Sequence, residues 1–496
     1  MQLWLRRNPL GFLIAAFATA FLVGVVGAIL TDTPRDEVPA PQPRTHTRIE
    51  PPYPPRAQLP KAEPQQVQVP QQSIPQSTEF ESMPEETQPV PTLPPRALDP
   101  IEMPRKTPPR KAQNVQPRGI TILQIGDSHT AADFMTGELR RLLQARYGDG
   151  GAGYMSAGRP HLGVRSAAFR INASDGWSYE ALQKSVDVVK FWLSGFNAIA
   201  KKDGEAISFR SDTPVNFDRI EIQALRQPEG GTIEIRLDGV LQSEVDLAGE
   251  AREPVVIQLL PERAATDRVR EIKLTTKGEG VVNLSSVAVY NRQSGIAYNS
   301  VGFPGATVDI LNKFDEVIFE NELKRLEPQI VVLAFGTNEG FNDALELDRY
   351  RQNYEQAINK IRRALPNAEI VMMAPPDAAR GIKKSDADGD RKTPPAKAAR
   401  QDGDCGDWQT PINLNRVRDV QEQIAKRYKL VYWNWASIMP AECGADRWAS
   451  MSPPLVAKDR VHFTMEGYRQ TAAQFLKVLL PVVERVRQSD NVVSNH

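Results

Sequence analysis

With 496 residues the chain exceeds what one hydrophobic core organises, about 250 to 300 residues, so it must combine folded units with tethers or anchors. Lysine plus arginine equals aspartate plus glutamate at 61 each, so the net charge is zero; no nucleic acid is expected as partner, and a neutral or weakly charged substrate fits better. Cys405 and Cys443 match no zinc or redox spacing and pair only if the compartment is oxidising.

In chain order, Arg6 and Arg7 precede PLGFLIAAFATAFLVGVVGAIL, a charge-free stretch near the ~20 residues that span a bilayer as a helix. Residues 1–30 are therefore expected to be a transmembrane signal-anchor with its arginines cytoplasmic and the bulk of the chain outside; cleavage near Ala28 would instead release the protein. Residues 31–117 are rich in Pro, Gln and Glu and read as a disordered linker, too poor in apolar surface to offset the entropy of ordering. Extended at ~3.1 Å per residue, such a tether reaches on the order of 260 Å.

Ordered sequence begins near Gly119. GITILQI reads as a buried parallel strand, and the ADFMTGELRRLLQARYG that follows reads as a helix. PQIVVLAFGTNEG and AEIVMMAPPD repeat the strand signal, DRYRQNYEQAINKIRRALP supplies a helix between them, YKLVYWNW is a later strand, and TMEGYRQTAAQFLKVLLPVVERV is a long closing helix. This alternation predicts an α/β unit over 118–186 and 292–490, a parallel sheet sandwiched by helices. Between its halves, 187–291 contains six short alternating runs, among them FDRIEIQAL, GTIEIRLDG and VVNLSSVAVYN, separated by turn residues. That texture predicts an inserted all-β sandwich. The polar stretch 378–407 reads as a loop; its DADGD resembles a calcium loop, but Arg391 and Lys397 occupy the positions of the required glycine and glutamate, so no metal or cofactor is expected.

Ser128, in ILQIGDSHTAADF, stands where a strand gives way to a helix, the rim on which open α/β sheets carry their reactive groups. An N-cap and a nucleophile are equally consistent with that position. As a nucleophile it would have the helix-start amides and helix dipole to stabilise an oxyanion. A nucleophilic serine needs a base, and histidines are few: His46 lies in the linker, His496 is terminal, His129 neighbours the serine and should diverge from it, and His161 sits in GRPHLG. His462, in AKDRVHFTMEGY, follows Asp459 by three residues, a spacing at which the carboxylate can reach Nδ1 and leave Nε2 to take a proton. Asn338, past the end of another strand in LAFGTNEG, offers a side-chain N–H to an oxyanion, and Gly305 in NSVGFPGATV offers an unobstructed amide, with Gly302 the weaker candidate.

Together GDSH, the glycine followed by Ala-Thr, GTNE and DRVH resemble, in order, the sequence blocks of the SGNH (GDSL-type) hydrolases. The resemblance implies a flavodoxin-like SGNH-hydrolase sheet, a Ser128–His462–Asp459 triad, and an oxyanion hole of Ser128, Gly305 and Asn338. More narrowly, the chain resembles the periplasmic peptidoglycan O-acetylesterases, whose inserted β-domain is similar to a carbohydrate-binding module. Ala132 departs from that pattern where a glycine is expected, and the polar insertion before Cys405 is extra. The implied protein is an inner-membrane-anchored serine esterase with its head in the periplasm, its partners an O-acetylated glycan and the membrane. An acetyltransferase, an esterase for another polysaccharide or for lipid, and a non-catalytic cell-wall adaptor are the competing readings.

Overall fold

The computed structural model describes residues 42–50, 119–188, 190–262, 267–291, 295–382 and 404–493. The expected anchor at 1–30, most of the expected linker and the DADGD stretch lie outside the described residues, among which no helix is long and apolar enough to cross a membrane.

Five strands, β1 (Ile120–Gly126), β2 (Ile296–Gly302), β3 (Ile330–Ala334), β4 (Glu369–Ala374) and β5 (Val431–Asn434), form one parallel sheet in the order 2-1-3-4-5. This is the flavodoxin-like winding, and its switch point falls at the carboxyl ends of β1 and β3. β1 is buried along its whole length, which explains its mostly apolar sequence; buried Gln124 is satisfied by donating to Thr130 Oγ1 and accepting from Tyr298 Oη. Ile120 and Ile122 pack on one side against Leu139 and Leu143 of α2 (Phe134–Tyr147) and Phe475 and Leu479 of α7 (Met465–Val493). Leu123 and Ile125 belong to the opposite layer, with Leu323 of α3 (Glu316–Leu326), Ile358 of α5 (Leu347–Ala364) and Val417 of α6 (Ile412–Tyr428). The expected α/β unit, helices on both faces of a parallel sheet, is therefore present.

The inserted domain is a sandwich of two antiparallel sheets around a core of Ile, Leu, Val and Phe side chains. One sheet runs through Glu253–Pro261, Arg219–Arg226, Val282–Tyr290, Phe196–Ala200 and Ser178–Ala181, with Gly153–Ser156 also on Val282–Tyr290. The other runs Val240–Asp246, Thr232–Leu237, Asp267–Lys277, Ala206–Phe217 and Arg170–Ala173. The sandwich thus reaches outside 187–291: three four-residue strands come from the stretch 118–186 that reads as part of the α/β unit. Too short to show a period, they are fixed only by their partners. A second difference lies in the linker, where Thr45–Glu50 is not disordered but pairs antiparallel with Glu253–Pro261. Thr45 is buried and donates to Gln242 Oε1 at 2.9 Å, while Arg44 pairs with Asp238 at 2.8 Å. Backbone pairing with an open sheet edge, which needs no apolar run of its own, orders this segment.

Sandwich and α/β unit share a buried polar seam. Arg325 of α3 pairs with Glu322 and with Glu221 of the sandwich, and Gln223 bridges Glu322 and Tyr154. Around it, Phe191, Phe196 and Tyr290 join the core layer that contains Phe303 and Leu323. The described end of the polar insertion forms a small three-stranded sheet, Arg380–Gly381, Trp408–Gln409 and Asp404–Cys405, tied by a Cys405–Cys443 disulfide to the turn before the helix Gly444–Ala449.

Candidate active site

β1 ends at Gly126, where a Cβ would lie 2.3 Å from Thr130 Oγ1 and 2.5 Å from the Ala334 carbonyl, so only glycine lets β1 and β3 close up there. The next amide, Asp127, donates to Ala334 O, and the buried Asp127 carboxylate accepts from the His129 amide at 3.0 Å. Asp127 is therefore the N-cap of α1 (Ser128–Ala131), and the side chain of Ser128, the first residue of the turn, is left for other partners. α1 is a single turn. Asp133, at φ 52°, separates it from α2, and its carboxylate is locked by Thr136, Arg140 and the Ala167 amide. The expected help from the helix dipole at Ser128 is corrected accordingly: four residues sum to little, and what remains is the local amides.

Ser128 Oγ lies 2.9 Å from His462 Nε2, and His462 Nδ1 lies 2.7 Å from Asp459 Oδ2. The other Asp459 oxygen accepts from the amides of Val461 and His462 at 2.9 and 3.0 Å, so one tight turn positions both residues. Partial burial raises the Asp459 pKa, but the hydrogen bond and charge of His462, with the two amides, outweigh it and hold the carboxyl below its usual range. An ionised carboxylate on Nδ1 keeps the proton there and turns the Nε2 lone pair towards the serine.

The turn is held by a residue that reading the motif alone passes over. Arg460, between aspartate and histidine, sits at φ 56°. Its guanidinium lies 4.5 Å from the centroid of the Trp408 ring and donates to Asp446 Oδ1 at 3.2 Å, while its carbonyl accepts from Ala379. Trp408 pairs with Cys405 and Asp446 is three residues beyond Cys443, so the disulfide draws together the two walls of the Arg460 socket. These contacts join segments far apart in sequence, which is why no local pattern announces them.

On the other side of Ser128, the loop after β2 approaches the loop after β3. Asn338, on α4 (Thr337–Gly340), donates Nδ2 to Ala306 O at 2.8 Å, tying itself to the residue after Gly305. Gly305 has φ 75°, a conformation that favours glycine, with open space around its Cβ position. Among the described residues neither the Ser128 nor the Gly305 amide has an acceptor, and Asn338 Nδ2 has a second hydrogen to give. Gly302 plays a different part: a Cβ there would lie 2.1 Å from the Ala131 amide nitrogen, so it lets β2 close against α1. Glu339 is also buried, and Oε1 accepts from Val308 N at 2.8 Å, fixing the far end of the Gly305 loop. Burial lifts its carboxyl to about 8, and burial likewise lifts Asp127 to about 6 against hydrogen bonds from His129 and Thr337.

His129 is near the Ser128–His462–Asp459 relay but not part of it. Its buried imidazole is bonded through Nδ1 to Tyr468 Oη at 2.9 Å, is packed against Trp435 and Phe463, and is held neutral by burial and by His462, with a pKa of about 3. His161 lies on an exposed turn, His46 is on the sandwich edge strand, and His496 falls outside the described residues. No group of three or more metal-ligating side chains occurs among the described residues.

A GDSL-like lipase/acylhydrolase family model matches residues 280–470, a span that begins just before the last sandwich strand and so leaves out Ser128, separated by the insertion from the rest of the motif set. A solved structure of a peptidoglycan O-acetylesterase is similar at 25% identity, with TM-score 0.57, covering 74% of this chain and 92% of that one. A family two carbohydrate esterase from Clostridium thermocellum in complex with cellohexaose is 10% identical with TM-score 0.26, covering 64% of this chain and 99% of that one. A GDSL-like lipase from Bacteroides thetaiotaomicron is 18% identical with TM-score 0.26, covering 37% and 76%. No curated protein matches the sequence.

The Arg460 socket predicts a specific defect. Arg460→Ala should lower kcat on p-nitrophenyl acetate about tenfold with KM within twofold, because the imidazole loses its aim while the substrate site stays intact. Steady-state kinetics alongside a melting curve check this; a loss confined to KM would contradict it. Glu339 predicts a pH effect on stability. Its folded pKa lies above the ordinary value of 4.5, so its stabilising contribution is complete below about 4.5 and is lost as pH rises through about 8. Glu339→Gln, which keeps an acceptor for Val308, should match the parent Tm at pH 5 and exceed it at pH 9, as measured by calorimetry at the two pH values.

Proposed function

We propose that this chain, a member of the SGNH (GDSL-type) hydrolase superfamily and a carboxylic ester hydrolase, removes O-acetyl groups from peptidoglycan or a related cell-envelope glycan. Ser128 attacks the acetyl carbonyl as His462 Nε2 takes its proton, with Asp459 stabilising the imidazolium. The amides of Ser128 and Gly305 and the Asn338 side chain receive the oxyanion, each such donor contributing on the order of 3 kcal/mol where it forms its bond in the transition state. His462 then gives the proton to the leaving sugar hydroxyl, and in the second half-reaction draws one from water, which attacks the acetyl-enzyme and frees acetate. No step calls for a cofactor.

The observation that carries the catalytic reading is the unbroken relay from Asp459 through His462 to Ser128, at 2.7 and 2.9 Å. The substrate reading is supported by the extent of the likeness to the peptidoglycan O-acetylesterase, which spans more of the chain than the α/β layers alone supply. We further propose that residues 1–30 anchor the protein in the inner membrane with its head in the periplasm, on the strength of the charge-free stretch after Arg6 and Arg7.

Ser128→Ala should cut kcat/KM on p-nitrophenyl acetate by about 10³ or more with an unchanged Tm, and should abolish acetate release from O-acetylated peptidoglycan while de-O-acetylated material yields none with either protein. Retained activity in the variant would sink the mechanism; no acetate from the glycan with an active enzyme would sink the substrate. For the anchor, the full chain should sediment with membranes and resist carbonate extraction, and a chain beginning at residue 31 should stay in the supernatant.

A further inference from the structure

The zero net charge of the chain conceals a local imbalance beside the serine. From Gly150 to Ser174 there is no aspartate or glutamate, yet Arg159, His161, Arg165 and Arg170 occur there, and the stretch from Ala181 to Val186 contributes Lys184, again without an acid. Structure brings these two stretches to the candidate site. The Arg165 amide donates to the carbonyl of Ala131, in the turn that begins with Ser128, and its guanidinium lies 5.6 Å from the Phe134 ring centroid and donates to Leu162 O. Gln183 donates to the carbonyl of Pro304, the residue before Gly305, at 3.2 Å. A Cβ on Gly163 would touch both Pro304, at 3.4 Å, and His161 Nδ1, at 3.2 Å, so the His161 turn leans on the same loop.

Of the carboxylates near these stretches, Asp133 pairs with Arg140, Glu180 with Lys190 and Asp187 with Arg252, and Asp149 accepts from Asn216 and the Gly151 amide; Asp175 is exposed, and Arg170 is set apart by its pairing with Asp212. Arg159, His161, Arg165 and Lys184 are exposed, and among the described residues none has a carboxylate partner. Lys184 is close enough to His161 to help burial lower the pKa of that imidazole, so the two share one patch. His161 Nδ1 accepts from the Gly163 amide at 2.9 Å, which leaves Nε2–H as an outward donor. An exposed apolar tip, Leu162, stands within this cationic rim and can cover the face of a sugar ring.

We propose that Arg159, His161, Arg165 and Lys184 form a subsite for a carboxylate on the substrate, so that the esterase prefers acetyl esters whose alcohol part carries a negative charge. This rests on the reading of the protein as a glycan O-acetylesterase and narrows its substrate to an anionic glycan. The rim borders the Pro304–Gly305 loop beside Ser128, and because an acetyl group carries no charge, a negative charge met there belongs to the sugar. Such contacts act mainly on substrate binding and are weakened by salt.

The test compares 6-O-acetyl-N-acetylmuramic acid with the same sugar whose lactyl carboxyl has been amidated, two esters differing in a single charge. The intact protein should favour the acid over the amide about tenfold in kcat/KM, through KM, and 0.5 M NaCl should shrink that ratio. In Arg159→Gln/Lys184→Gln the ratio should fall to about one, and Lys184→Glu should reverse the preference. The ratio is internal to each protein, so it is insensitive to partial misfolding. A ratio near one in the intact protein, or one that survives the double substitution, overturns the subsite while leaving the esterase reading standing. Cleavage of neither sugar by an enzyme active on p-nitrophenyl acetate would overturn the glycan reading and the subsite with it.

Discussion

The hydrogen bond from the His129 amide to the Asp127 carboxylate decides what Ser128 is available to do. A strand that runs straight into a helical turn leaves amides needing an acceptor, and serine is among the residues that ordinarily supply one. Here the aspartate one position earlier supplies it, and its own amide is tied to β3 through Ala334. The serine hydroxyl is thereby left to His462. Because Asp127 also receives hydrogen bonds from Thr337, the same side chain fixes the spacing between the turn after β1 and the turn after β3, which bears Asn338. Geometry on both sides of the serine thus hangs on one buried carboxylate.

Around that centre the chain assembles parts of different rigidity. The sheet ends are set by register, since β1 pairs with β2 on one side and β3 on the other, so the elements bearing Ser128, Gly305 and Asn338 leave the sheet side by side. Asp459 and His462 come instead from a turn outside the sheet, which needs external bracing; Arg460, Trp408, Asp446 and the disulfide provide it. The sandwich contributes differently again. Its connection to the α/β unit passes the Gly305 loop, and the Arg325–Glu322–Glu221 seam keeps the two units from drifting apart. The rim proposed to face substrate is built from the connection between two units, so it is only as well defined as the joint between them, and that joint is buried and charge-paired.

The legible parts of the sequence were those governed by local physics. β1, β3 and β4 announce themselves because strands buried on both faces must be largely apolar, and Asp459 and His462 because three residues of a tight turn are enough to join a carboxylate to an imidazole. What stayed hidden depends on partners distant in sequence. Thr45–Glu50 is ordered by an edge it merely completes, and the strands at 153–156, 170–173 and 178–181 are too short to display alternation. Asp133 is an ordinary helix residue on paper; in the fold it ends α1 because Arg140, Thr136 and Ala167 all claim its carboxylate. That Asp127 and not Ser128 caps the turn depends on the backbone path between β1 and β3, since adjacent Asp and Ser are both good caps.

Glu339 shows how a cost in stability serves the same centre. Its Oε2 is buried without a hydrogen-bond partner among the described residues, an arrangement far less costly for a neutral acid than for a carboxylate. Burial raises its pKa to about 8, with Asp127 adding to the effect, so at neutral pH the group is mostly protonated. That neutrality matters because Glu339 adjoins Asn338 and holds the loop of Gly305, the residues proposed to receive an oxyanion. An ionised carboxylate behind them would oppose the negative charge that the amides are placed to receive, and in a water-poor interior the repulsion is poorly screened. A neutral glutamic acid still accepts from the Val308 amide while adding no net charge. The position therefore uses a carboxyl group as an uncharged brace, and the condition for that use is the burial that makes it expensive to ionise.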